Sequence, residues 1–353
     1  MGLSIRLEEV EAYSAPGGSS SWSAIKLLAV VVIYKMQPCD SSTLKTLLAT
    51  AGNASSDELD LRIVVWDNTP GGQNVSNLPV GVLYKQAPHN PGLAQAYNEA
   101  LEVAEAEEYE WLLTLDQDSI LPADFLARIA GLARELSPVK TVGAIVPQVI
   151  AGGRTVSPFQ FLLGAIPHWF SGGFVGISRR AAYAANSGAT LRVSALREIG
   201  GYDPMFPLDL SDTNLFHRLH GSGKSVFVAG DITVHHDFAL LNKQAKMSAA
   251  RYEASLLDDC AFWDLYMGPI ARFERIVRFA GRVCKDFLNS RESGYWRLTL
   301  SELRRRLLTP RHERVAEWRK WATLRYSTSA QAPVAQPLGH KTEASGSSPM
   351  VKG

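Results

Sequence analysis

The chain reads as an α/β protein built on a parallel, doubly wound sheet, and three observations carry that reading. Nearly continuous apolar runs of strand length, such as Ile25 to Tyr34, recur through the first half. Helix-length segments separate them, the clearest being the alanine-rich Leu93 to Ala106. Strands covered on both faces lose the polar alternation of a half-exposed sheet, and this spacing calls for right-handed crossovers that supply the covering helices.

Residues 1–23 are polar, Gly/Ser-containing and irregular, as in a loose arm. The first strand stops at Tyr34-Lys35, and the polar cluster from Asp40 to Thr43 caps a helix through Thr50. Leu61 to Trp66 is the second strand, ended by Asp67-Asn68-Thr69-Pro70-Gly71-Gly72, a strong turn signal. A third strand, around Val80 to Lys85, leads through His89-Asn90-Pro91-Gly92 into the alanine-rich helix. Glu110 to Leu115 is the central strand, and a helical run follows Pro122.

Val142 to Ile150 is a further strand. Pro158 to Ile177 is apolar and aromatic but broken by proline and glycine. It reads either as short strands and loops along a pocket floor or as plain core packing. A short helix from Ser194, a turn at Gly200 to Pro204 and a helix from near Thr213 to Gly221 or Gly223 come next. Ser225 to Ala229 and a separate alternation, Ile232, Val234 and His236, close this part.

Leu112 to Pro122 is the stretch around which the rest is arranged. Its strand delivers Asp116 and Asp118 to the strand's carboxyl end, where open α/β sheets bind ligands. Two acids flanking one residue can share a hard cation such as Mg2+ or Mn2+ with a diphosphate. The alternative is an Asp-Gln-Asp turn that caps the next helix.

Composition narrows the class. At 353 residues, 46% apolar and 20% charged, the chain is long and apolar enough for one large core, which excludes wholesale disorder. A net charge of +1 excludes a globally basic nucleic-acid binder. Cys39, Cys260 and Cys284 are too scattered for a disulfide framework or a clustered zinc site, so a reducing cytosol is expected. No apolar run reaches the roughly 18–20 residues that span a bilayer. Leu27 to Ile33 lacks the flanks of a signal peptide and reads as a core strand.

Beyond Leu240 the pattern is helical. Ile270, Phe273, Val277, Ala280, Cys284 and Phe287 recur at spacings of three and four, an apolar stripe along one helix. Residues 271–325 hold 15 Lys/Arg against 6 Asp/Glu, an excess of nine positive charges. Two readings stand: a solvated face on helices that cover the core, or attraction to anionic lipid, with Trp296, Trp318, Trp321 and Tyr326 as interfacial aromatics. After Ser327 the chain is Ser/Ala/Pro/Gly-rich, as in a disordered tail.

Several ordered motifs between Leu27 and Leu241 together carry a resemblance. They are the opening strand ending in Tyr34-Lys35, the turn Asp67-Asn68-Thr69, Asn90-Pro-Gly-Leu-Ala-Gln-Ala-Tyr-Asn98, Asp116-Gln-Asp118, Asp209-Leu-Ser-Asp212 with Arg218, and His235-His236. This set resembles the inverting family 2 glycosyltransferases of the GT-A fold, and most of all their bacterial rhamnosyltransferase branch. The resemblance implies a Rossmann-like, mixed and mainly parallel sheet flanked by helices over residues 24–240. A basic helical extension over 241–326 and a tail over 327–353 would follow.

It also implies roles. Tyr34 and Asp67 would lie at the nucleotide base, with Asn90, Gly92 and Asn98 in the loop and helix beside the nucleotide. Asp116 would contact the nucleotide sugar, with Arg218 beside the site. Asp118 and His236 would bind Mg2+ or Mn2+. Asp212 occupies the place of the catalytic base, Asp209 is its competitor, and either could instead cap the helix near Thr213. Asn214 departs from the pattern, since relatives commonly hold another acid there.

The implied donor is dTDP-L-rhamnose, with a UDP-sugar as the alternative. The implied acceptor is a surface-polysaccharide or lipid-linked glycan, met in the cytoplasm at the inner face of the plasma membrane. Two rivals remain. A nucleotidyltransferase would carry a Gly-rich basic loop after the first strand, which Tyr34-Lys35-Met36-Gln37 is not. A non-catalytic nucleotide-sugar-binding subunit is the other.

Overall fold

The computed structural model describes residues 10–11, 23–55, 57–75, 77–162, 166–236 and 247–330. The expected arm over 1–23 lies almost wholly outside the described residues, as do the join at 240–241 and the tail from 331 onward. The chain runs β1 (Val10–Glu11), β2 (Ile25–Ile33), α1 (Ser42–Ala51), β3 (Leu59–Asp67), β4 (Val82–Gln86), α2 (Leu93–Ala106), β5 (Trp111–Asp116), β6 (Ser119–Ile120) and α3 (Phe125–Leu136). Then come β7 (Val142–Ala151), β8 (Arg154–Ser157), β9 (Phe159–Leu162), β10 (Ile166–Trp169), β11 (Val175–Ser178), β12 (Ala182–Tyr183), β13 (Ala189–Arg192), α4 (Val193–Glu198), α5 (Ser211–Gly221) and β14 (Ser225–His236). Helices α6 (Ala249–Tyr266), α7 (Pro269–Asn289), α8 (Tyr295–Leu308) and α9 (Arg311–Ala330) complete it.

The main sheet has the order β1-β11-β14-β7-β13-β5-β2-β3-β4. Strands β4, β3, β2 and β5 are parallel, as are β7 and β14, whereas β13 runs antiparallel between β5 and β7. The sheet is therefore mixed and mainly parallel, with helices on its faces. Every residue of β2 except Lys26 is buried, and the side chains alternate between two cores. Leu28, Val30 and Val32 share one with Ala94, Tyr97 and Leu101 of α2. Leu27, Ala29, Val31 and Ile33 share the other with Leu44 and Leu47 of α1 and Phe125 and Ile129 of α3. Each buried Val, Leu or Ile among them contributes about 1.5–3 kcal/mol, which is why one strand can anchor both layers.

Two local readings change. Ser225 to His236 is one strand rather than two: its partner shifts from Pro147 at Ala229 to Gln148 at Thr233, so a bulge bends it without ending it. Gly230 sits in that bulge, where an added Cβ would lie 2.5 Å from the Phe174 carbonyl oxygen. At the other end of the chain, α9 runs to Ala330, past the expected start of the tail at residue 327.

The C-terminal helices close a third core, in which Met205 and Phe206 pack with Phe262, Trp263, Phe279 and Trp318. Asp264 of α6 is fully buried there. It accepts from Arg306 Nη1 at 2.9 Å, Arg314 Nη2 at 3.0 Å and Trp318 Nε1 at 3.0 Å. Burial alone would raise its pKa, but the Arg314, Arg306 and Trp318 donors outweigh that and hold it below the ordinary carboxylate value.

Part of the positive excess over 271–325 is therefore interior, and Trp318 is not an interfacial aromatic. Arg306 and Arg314 are interior groups that neutralise the buried Asp264 carboxylate, and the buried Trp318 donates a hydrogen bond to it. The apolar stripe of α7 behaves in the opposite way. Phe279 and Ala271 bury the helix, while Ile270, Phe273 and Val277 point outward. Among the described residues no helix is long and apolar enough to cross a membrane.

Candidate active site

The carboxyl ends of β2, β3 and β5 finish at one level, Val32 lying opposite both Trp66 and Asp116. Because β3 and β5 flank β2 on opposite sides, a crevice opens where the connections diverge. A cleft of about 740 Å³ occupies it. Its lining brings together Tyr34, Asn90, Gly92, Asp116, Asp118, Asp209, Asp212 and His236 from five separate parts of the chain.

The β5 end is fixed from two sides. Thr114 Oγ1 donates to the Asn186 carbonyl at 3.1 Å, which brings the loop before β13 against the acids. Ser187 Oγ then donates to Asp116 Oδ2 at 2.8 Å. Gln117 Oε1 accepts from the Tyr34 N–H at 2.7 Å, joining the ends of β2 and β5. His236 arrives through the pairing of β14 with β6, in which it faces Ser119. The alternation of β14 turns His236 inward with Ile232 and Val234, and His235 outward. His236 Nδ1 lies 2.9 Å from Ser119 Oγ, 3.3 Å from Ser187 Oγ and 3.6 Å from Asp118 Oδ1.

Among the described residues no group of three His, Cys, Asp or Glu side chains is gathered as a closed metal cage. The pair that does meet, a carboxylate and an imidazole nitrogen, suits a cation whose other ligands are water and substrate phosphate, as is usual for Mg2+.

The opposite wall comes from the segment before α5. Leu210 adopts a left-handed conformation with φ of 56°, uncommon for a residue of its bulk, and it separates the two acids. Asp209 is held by both Nη atoms of Arg251, the second contact at 2.8 Å. Asp212 Oδ1 accepts from the Thr213 N–H at 2.6 Å and from Thr213 Oγ1 at 3.2 Å. Burial, opposed by the Thr213 N–H and reinforced by the charge of Asp116, pushes the Asp212 carboxyl up to about 6.

Three expected ligand residues lie outside the cleft lining. Asp67 is fully buried and accepts from the Thr69 N–H and the Tyr84 hydroxyl, so it holds its own turn. Asn98 exchanges two hydrogen bonds with the backbone of Tyr202, at 2.8 and 2.7 Å. Arg218 spends its donors on Asn214 Oδ1 and on the carbonyls of Ile199 and Gly201. Asn98 and Arg218 therefore clamp the Gly200-Gly201 turn between α2 and α5. Asn214 completes that clamp, a role an acid would also fill.

The N-terminus of α2 needs a similar correction. The Leu93 and Ala94 N–H groups, expected to attract an anion, donate to the Pro207 carbonyl at 2.6 and 3.2 Å. Gly92 permits this approach: its φ is 91°, and an added Cβ would lie 2.5 Å from the Pro207 oxygen. Gly92→Ala should therefore displace the loop that carries Asp209 and Asp212. We expect at least a ~10-fold loss of kcat/KM with a stability loss of about 1–3 kcal/mol, read by steady-state kinetics and urea denaturation.

The sequence alone did not reveal Asn68, Gln117, Ser187 or Arg251. Asn68 Nδ2 donates to the Gly92 carbonyl at 3.1 Å and so shapes the cleft floor. It and Gln117 sit inside the recognised motifs, but Ser187 and Arg251 carry no local pattern that marks them.

The matching of sequence models now bears on this geometry. Residues 30–200, which supply most of the sheet and most of the cleft, match the model of glycosyl transferase family 2. Over that stretch, somewhat under half of the chain, the sequence is similar to the glycosyl transferases of family 2. No curated protein matches its sequence. Among solved structures the chain is similar to GalNAc-T7 with UDP, GalNAc and Mn2+, at 14% identity and a TM-score of 0.49 over 69% of this chain and 49% of that one. It is also similar to TarS of S. aureus, at 14% identity and a TM-score of 0.46 over 86% of this chain and 55% of that one. The chain thus spans about half the length of each.

Proposed function

We propose that this chain is an inverting glycosyltransferase that moves a sugar from a nucleotide diphosphate onto a glycan hydroxyl, with Asp212 as the base. The observation that carries this is the position of Asp212. Its carboxyl, raised to about 6, faces the cleft that also holds Asp116, Asp118 and His236. Asp212 takes the proton from the acceptor hydroxyl as that oxygen bonds to the anomeric carbon and the bond to the diphosphate breaks, which inverts the centre. Asp209 is the weaker candidate because Arg251 already holds both its oxygens.

Tyr34, Asn90 and Gly92 border the nucleotide side, and Ser187 orients Asp116 toward the donor. Asp118 and His236 are the residues that would hold Mg2+ or Mn2+. A bound divalent cation would offset the charge collecting on the departing diphosphate.

The donor we propose is dTDP-L-rhamnose, on the strength of the Asp116-Gln-Asp118 and Asp209/Asp212 motifs, with UDP-hexoses as the competing arm of a donor panel. The proposed acceptor is a surface-polysaccharide or lipid-linked glycan reached from the cytoplasmic side of the membrane. A smaller cavity of about 260 Å³ continues past Leu210 and Thr213. Phe161, Trp169 and Trp263 wall it, and Arg275 and Arg278 edge it, a mix of ring faces and planar donors suited to a sugar.

Nucleotide release from the donor panel, with and without EDTA, tests the whole reading. Asp118→Ala should weaken metal-dependent donor binding about 10–100-fold in titration calorimetry and leave the metal-free affinity unchanged. Turnover indifferent to chelator would remove the metal role. No turnover with any donor and acceptor would favour the binding subunit.

A further inference from the structure

We propose that the outward face of α7 lies in the headgroup region of an anionic lipid bilayer. This surface is separate from the donor cleft, and its test needs no turnover. Ile270, Phe273, Val277 and Leu288 are 69%, 67%, 57% and 78% exposed. With the exposed Ala280 and Cys284 they form one apolar line along the helix. From Ile270 to Leu288 that line is about 27 Å long, at 1.5 Å per residue. A water-facing helix normally puts its polar arc outside. Here Phe279 and Ala271 bury one side, Arg275 and Arg278 edge the small cavity beside Leu210, and an apolar arc is left outward.

Charge identifies the occupant. The line ends at a corner where Phe287 packs edge-on against Trp296, with Arg291 over the Phe287 ring and Arg297 over the Trp296 ring. Lys285 is exposed on the same helix. Aromatic rings beside cations on long flexible stems suit the boundary between headgroups and acyl chains. Residues 269–297 carry seven Lys/Arg against three Asp/Glu, so two copies of this face packed about a two-fold axis would bring together cations that the acids present cannot match. A phosphate-bearing surface supplies the missing anions.

The test floats the full-length protein with vesicles of phosphatidylcholine alone, and of phosphatidylcholine mixed with phosphatidylglycerol. Binding is expected to the mixed vesicles, weakened by added salt. Phe273→Ser with Val277→Ser and Leu288→Ser should lower the partition constant at least about tenfold with the melting temperature held, since these side chains are exposed. Lys285→Gln with Arg291→Gln should lower it about 25-fold on anionic vesicles.

A polarity-sensitive dye on Cys284, in a Cys39→Ser background, should shift to the blue with the same vesicles. Three results would overturn the proposal: no flotation, equal flotation of the wild type and both variants, or a dimer in light scattering that the serine variant abolishes. The last would assign the face to a second copy of the chain.

Discussion

Asp212→Asn is expected to lower transfer by about 10²–10⁴-fold while donor affinity stays within a few-fold, because the base acts on a proton that moves only as the new bond forms. The substitution keeps the size of the side chain and its contact with the Thr213 N–H, so the cleft should not collapse around it. The wild-type pH profile gives an independent check. A base must be ionised to act, so kcat/KM should rise with pH through an acid limb at or below about 6, the value to which burial and Asp116 push this carboxyl. A divalent cation near Asp116 would move the limb lower, never higher. Near-full activity in Asp212→Asn would transfer the assignment to Asp209, and Asp209→Asn would then be the inactive variant.

Asp264→Ala should be the most destabilising single change in the C-terminal helices, at about 3–5 kcal/mol, because it leaves the Arg306 and Arg314 cations buried beside a cavity. Asp264 joins α6 to α8 and α9, so the loss should appear as early melting of those helices in circular dichroism and as proteolysis after residue 248. The wild type should show the matching pH dependence. A carboxyl whose folded pKa lies below its unfolded value contributes stability above about pH 4, and that contribution is lost as the pH falls through the folded value. A variant as stable as the wild type would mean that neighbouring Glu302, which already contacts Arg306 at 3.2 Å, can carry the charge alone.

The long elements were legible in the sequence because one force dominates each of them. Burial on both faces wrote β2, β3, β5 and β7 as apolar runs, and Gly92 followed by alanines set the bounds of α2. The short strands β9 to β13 left no comparable trace, since two to four residues cannot display a period. The bulge in β14 looked like a break because Gly230 and Asp231 interrupt the alternation.

At the site, residue type and spacing pointed to the acids and to His236, but not to direction. Asp67, Asn98 and Arg218 look like ligand-binding groups until their partners are seen to be Tyr84, the Tyr202 backbone and the Ile199 and Gly201 carbonyls. Arg251 was invisible for a different reason: it reaches Asp209 across a sequence gap that no local pattern spans. Along α7, the period of three and four identified an apolar face but could not say whether protein covers it.

The grip of Arg251 on Asp209 has a consequence for how such enzymes diversify. Arg251 belongs to a helix outside residues 30–200, yet it steadies an acid of the cleft. Under the proposed mechanism, exchanging the helical appendage between relatives would re-tailor the wall beside Asp209 while the acids borne by the sheet stayed put, and excising it would open one side of the cleft.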